Sequence, residues 1–145
     1  MGLLDDYSGI GMSPRPKWQH QLIKDSFILN AGPELRRKKL LLLGEATVTQ
    51  DWNDLAPDLV IFDKQFAPLA IIEITTHNEL KNIIAKCYDL IPRFPNAEYF
   101  VYDYEAEILY QYLIEEDTRI ESENEDISSQ YLSRPLMDYL QDYYQ

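Results

Sequence analysis

Positive charge is scarce in this sequence. Thirteen lysines and arginines stand against twenty-five acids, a net charge of −12 over 145 residues. Taken at face value that argues against a nucleic-acid binder, because phosphate affinity comes from Lys and Arg. Cysteine is nearly absent as well. The one thiol, Cys87, cannot close an internal disulfide, which points to a reducing, cytoplasmic setting. No apolar run approaches the roughly 18 residues that a membrane span needs. Met1-Gly2-Leu3-Leu4-Asp5-Asp6 is acidic where a secretory signal is basic. No internal repeat and no second-domain boundary is visible, so residues 1–145 read as a single domain.

What is present is ordinary for a globular chain: 46% hydrophobic and 26% charged residues. The acidity is uneven. Residues 115–126 hold seven acids against Arg119 alone, which supplies −6 of the −12. Residues 1–64 carry eight basic and nine acidic side chains and include the basic cluster Arg36-Arg37-Lys38-Lys39.

Periodicity predicts an α/β domain. After an irregular lead-in over residues 1–16, Trp18, Leu22 and Leu29 fall near helical spacing, and Gly32-Pro33 is expected to stop that helix. Lys39 to Thr49 predicts a first strand and Asp51 to Ala56 a polar turn. Leu59-Val60-Ile61-Phe62 predicts a short buried strand, and Leu69 to Thr75 a third in which Leu69, Ile71, Glu73 and Thr75 share a face. A helix over His77 to Ile91 comes next, with Leu80, Ile83, Ile84, Cys87 and Ile91 on its apolar stripe. Tyr99 to Asp103 and Ile108 to Ile114 predict two more strands. The acidic segment reads as a surface loop, and Arg134 to Tyr144 as a closing helix with Pro135 in its first turn. The order αβββαβ, with an extra strand and a C-terminal helix, implies a mixed sheet covered by helices.

Glu73 is the residue that demands an explanation. Every neighbour in Leu69-Ala70-Ile71-Ile72-Glu73-Ile74 is apolar, and burying a lone carboxylate costs several kcal/mol or forces it to protonate. Asp58 lies 15 residues earlier at the mouth of the preceding strand. If the strands pair, the acids converge, and converging carboxylates call for a hard cation such as Mg2+ or Mn2+. The bland alternative is that Asp58 caps a turn after Pro57 while Glu73 pairs with a lysine.

Pro57-Asp58, then Glu73-Ile74-Thr75 on an apolar strand, resembles the signature of the PD-(D/E)XK (restriction-endonuclease-like) nuclease superfamily. The element order is similar to that superfamily's core. A closer resemblance is to its Uma-type branch, carried by His20 in Trp18-Gln19-His20-Gln21, Pro57-Asp58-Leu59-Val60-Ile61, Ile72-Glu73-Ile74-Thr75, a lysine-bearing helix and Glu98-Tyr99-Phe100-Val101-Tyr102-Asp103. The resemblance implies a metal-dependent endonuclease hydrolysing phosphodiester bonds. Asp58, Glu73 and the Ile74 backbone carbonyl would hold the metal, nucleic acid (DNA foremost) would be the partner, and a homodimer is expected by analogy.

One position departs from the pattern: Thr75 stands where the superfamily has lysine. In the Uma-type branch that lysine moves to the following helix, where Lys86 resembles it and Lys81 is the rival. A helical wheel cannot choose between them, and both also read as ordinary surface lysines. His20 and Thr75 are accessory candidates, His20 mostly through the resemblance, since such a histidine is more often a packed or surface residue. His77 reads as a plain turn residue at the start of that helix, with a place near the site as the lesser reading. A second reading is a catalytically silent relative that serves as a binding or assembly module, favoured by Thr75 and by the charge.

Overall fold

The computed structural model describes residues 18–45, 56–116, 118–123 and 126–141. The expected lead-in over residues 1–16, the polar turn at 51–55, the distal part of the first strand beyond residue 45 and the helix end at 142–144 lie outside them. The elements are helix α1 (Trp18–Arg37), strands β1 (Leu41–Gly44), β2 (Leu59–Phe62) and β3 (Pro68–Thr75), and a single 3-10 turn over His77–Glu79. Then come helix α2 (Leu80–Leu90), strands β4 (Glu98–Asp103), β5 (Ile108–Glu115) and β6 (Thr118–Glu123), and helix α3 (Leu136–Gln141).

The six strands form one sheet in chain order, β1 to β6. All neighbours are antiparallel except β3 and β4, which run parallel because α2 crosses over between them. Alternation along the strands divides the core in two. Leu59, Ile61, Ala70, Ile72, Ile74, Phe100 and Tyr102 pack under α1 and α3. Val60, Phe62, Ile71, Tyr99, Val101, Tyr110 and Tyr112 pack under α2, which contributes Cys87, Tyr88, Leu90 and Ile91, with Leu80, Ile83 and Ile84 against the same cluster. The α2 stripe thus faces the sheet as its periodicity predicts. Burial pushes the Cys87 thiol up to about 12, so it is an inert core residue.

Four details differ from expectation. First, α1 does not stop at Gly32-Pro33 but runs on to Arg37 with Pro33 inside it. Its buried stripe is Ile23, Phe27, Ala31 and Leu35, at steps of four, whereas Trp18 and Leu29 are exposed. Leaving the helix at Pro33 would forfeit Leu35. Pro33 lies on the exposed side, where water can serve the carbonyl its ring leaves unpaired. The helix closes instead by a Schellman pattern: Leu40 N–H donates to Leu35 O at 2.9 Å and Lys39 N–H to Arg36 O at 2.9 Å, with Lys39 at φ 61°.

Second, Leu69 does not share the face of Ile71 and Glu73. The β2–β3 register jumps from Ile61↔Ala70 to Phe62↔Pro68, and this bulge turns Leu69 toward the α1 side. Third, the acidic segment is mostly strand, not loop. β6 pairs with β5 through Tyr112↔Glu121 and Tyr110↔Glu123, and the Arg119 guanidinium lies 4.4 Å over the Tyr88 ring. Fourth, His77 opens a 3-10 turn, with α2 proper starting at Leu80.

Candidate active site

Asp58 and Glu73 meet because β2 and β3 pair antiparallel, with Leu59 opposite Ile72, which brings the next residue of each strand abreast. Each acid accepts from the other's strand. Asp58 N–H donates to Glu73 Oε1 at 2.7 Å, and Ile74 N–H donates to Asp58 Oδ2 at 2.8 Å. Asp58 is held further by Glu45 N–H on its carbonyl at 3.0 Å and by His20 Nε2, 3.1 Å from Oδ1. The two acids meet at the end of the sheet where the parallel strands β3 and β4 terminate, Glu73 facing Lys86 of α2 and Asp58 facing His20 of α1. That is where open α/β sheets place their ligands.

Lys86 comes from α2 to the same point. Its Nζ is 2.7 Å from Glu73 Oε2, with Lys86 23% exposed and Glu73 2%. At that distance the ammonium is the charged partner of an oxygen that is otherwise buried without one. Lys81, one face round the helix, is exposed to solvent. Geometry therefore separates the two lysines that the helical wheel left level.

The electrostatics follow the packing. Burial, then the charge of Asp58, pushes the Glu73 carboxyl above its usual range, while Lys86 pulls the other way. The hydrogen bond to Asp58 raises His20, outweighing partial burial, and the Ile74 backbone adds to it. Thr75 is buried and its hydroxyl donates to Thr76 O at 3.0 Å, so it neither carries charge nor offers a hydroxyl proton to a ligand.

These groups line a pocket of about 610 Å3 whose walls also include Trp18, Glu45, Glu79, Ile83 and Tyr104. Sequence reasoning did not single out Trp18 or Tyr104 for this place, because they arrive from α1 and from the β4–β5 turn. Among the described residues no three His, Cys, Asp or Glu side chains converge as a ready metal cage. The oxygens on hand are two carboxylates and a strand carbonyl, a hard, all-oxygen set. A cation here would share Glu73 with Lys86, whose ammonium is 2.7 Å from Oε2. This set fits Mg2+ or Mn2+ retaining much of its water.

Two other residues of the resemblance do structural work instead. Glu98 accepts from Ser129 Oγ at 2.6 Å and Gln130 N–H at 3.1 Å, fastening the C-terminal segment to β4. Asp103, fully buried, accepts from Glu105 and Ala106 N–H and lies 2.7 Å from His77 Nδ1, which locks the β4–β5 turn against the start of α2.

A mixed sheet in the order αβββαβ, with paired acids where its parallel strands end, is the restriction-endonuclease-like fold. The chain is similar to the crystal structure of a "putative nuclease belonging to DUF820" from Anabaena variabilis: TM-score 0.63 over 89% of this chain and 84% of that one, at 13% identity. No family model and no curated protein sequence matches the chain.

Proposed function

We propose that this chain is a divalent-metal-dependent nuclease of the Uma-type branch, hydrolysing phosphodiester bonds of nucleic acid, DNA foremost. One observation carries the reading: Lys86 Nζ lies 2.7 Å from the buried Glu73 Oε2, beside an Asp58 that Glu73 itself helps to fix. Asp58, Glu73 and the Ile74 carbonyl are the residues that would hold Mg2+ or Mn2+. Such a cation supplies polarisation of the scissile phosphate and activation of the attacking water.

The rest belongs to the chain. Lys86 brings the positive charge that Thr75 lacks, placed to orient that water and to offset charge growing on the phosphoryl oxygens. His20 holds Asp58 in one orientation through Oδ1, while Ile74 N–H holds Oδ2. A cytoplasmic location and a homodimer belong to the same proposal.

In Mg2+ or Mn2+ the protein should cleave nucleic acid, and Glu73→Ala should abolish both cleavage and the metal-induced rise in Tm. A Tm indifferent to Mn2+, with no cleavage of DNA or RNA, would sink the reading. It would leave the alternative, a catalytically silent binding or assembly module. The observation favouring that alternative is that His20 and Lys86 already partner the two acids without a cation.

A further inference from the structure

The pocket wall combines two things the hydrolytic reading does not use. Trp18, two residues before His20 on α1, is 59% exposed and has no ring partner among the described residues. It lines the same pocket as the acids, with Tyr104 also on the wall. Tyr104 is tied there by its own N–H, which donates to Thr75 O at 3.1 Å.

Among the described residues, positive charge for a phosphate backbone is scarce at the same place. The only Lys or Arg among the lining residues is Lys86, already paired with Glu73, and Glu45 and Glu79 add negative charge. Lys24, the next cation along α1, is buried and spans 3.2 Å to Glu45. The Arg36–Lys39 cluster sits at the other end of α1, about 27 Å from Trp18 at 1.5 Å per residue. Lys38 there is engaged by Glu34 and by the Tyr131 carbonyl.

Duplex recognition draws its affinity from rows of phosphate contacts flanking the cut. A single strand can be held through its bases, because every base has a π-face and stacking needs no charge. A cavity of about 610 Å3 is on the scale of sites that enclose a small ligand.

We propose that Trp18 is a stacking platform for an unpaired base, and that the substrate class is single-stranded or locally unpaired nucleic acid rather than continuous duplex. The cleavage of that substrate rests on the nuclease reading, whereas its binding can be measured separately. Trp52→Phe leaves Trp18 as the sole tryptophan. In EDTA, which holds metal-dependent cleavage off, an eight-nucleotide single strand should quench Trp18 fluorescence saturably. The matching blunt duplex should bind at least about ten-fold more weakly. Trp18→Ala should weaken single-strand binding, read by anisotropy of a labelled strand, by roughly ten-fold or more. Trp18→Phe should recover most of it, and the Mn2+-induced rise in Tm should survive both changes.

Duplex binding as tight as single-strand binding, or single-strand affinity unchanged in Trp18→Ala, would overturn the proposal. If Mn2+ still stabilises the protein while neither strand binds, the stacking site falls and the metal site stands. If the quench persists while Mn2+ has no effect and nothing is cut, the stacking site stands and the nuclease reading falls.

Discussion

Glu73 has 2% of its side chain exposed, inside a strand of aliphatic neighbours, and its charge is tolerable only because Lys86 and the Asp58 N–H face it. Removing Lys86 therefore has two consequences. Lys86→Ala leaves a buried carboxylate uncompensated, which should cost roughly 2–4 kcal/mol in a urea melt. The double change Glu73→Gln with Lys86→Met should recover most of that loss, since two neutral groups need no counter-charge. On the nuclease reading, Lys86→Ala also lowers the cleavage rate at saturating Mg2+ by a hundred-fold or more, the scale of one lost transition-state donor. Lys81→Ala, at an exposed position, should stay within about two-fold of wild type. Equal losses in the two variants would remove Lys86 from its assigned role.

Among the elements, α1 matters most for the site, because it carries His20 at one end and is strapped down at the other. Glu34 accepts from Tyr139 Oη at 2.6 Å, Ser133 N–H at 2.6 Å and Ser133 Oγ at 3.0 Å, and Lys38 Nζ lies 3.1 Å away. Desolvation alone would raise this carboxyl, yet those donors hold it at about 2, below its ordinary 4.5. A depressed folded value stabilises the protein above the unfolded value, and the gain is lost as pH falls from about 4.5 toward 2. The loss follows because the unfolded chain takes up this proton at a higher pH than the folded one. Glu34→Gln should therefore flatten the acid side of the stability curve between those values, as read by Tm against pH. A wild-type curve already flat there would refute the strap.

Pro33 is the complementary case. Replacing it with Ala adds a backbone donor and relieves the ring at Leu29, so Pro33→Ala should raise stability by roughly 1 kcal/mol. At the far edge of the sheet, the acids of β6 leave an open strand poorly suited to pairing with another chain.

At the scale of the whole molecule, the acidic strand β6 and the site are spatially separate. β6 lies three strands from β3, about 14 Å at the usual strand spacing, which exceeds the screening length of roughly 8 Å at physiological salt. The acidity therefore bears on encounter with a polyanion more than on chemistry at Glu73. Affinity for a single strand should consequently fall little as salt rises. The slope of log affinity against log salt should be shallower than about −2, where a protein gripping many phosphates shows a much steeper one. A steep slope would mean that the Arg36–Lys39 cluster, or basic residues beyond those described, grips the backbone.

The sequence by itself determined the strands β2 to β5, the crossover helix and the two carboxylates. Each of these rests on a local pattern: an apolar run, a helical stripe, or an acid where no acid should be. It could not locate the end of α1, since the reason to continue past Pro33 is the burial of Leu35 under α3 and the sheet, a contact remote in sequence. Nor could it foresee the bulge that turns Leu69, or that the acids after Glu115 have β5 to pair with. The choice between Lys86 and Lys81 was likewise tertiary. Both flank one stripe on the helical wheel, and only the way α2 lies across β3 brings one ammonium to Glu73 and leaves the other in water. Local patterns fix which face a residue takes; which residue meets which across the sheet depends on packing that no short stretch of chain contains.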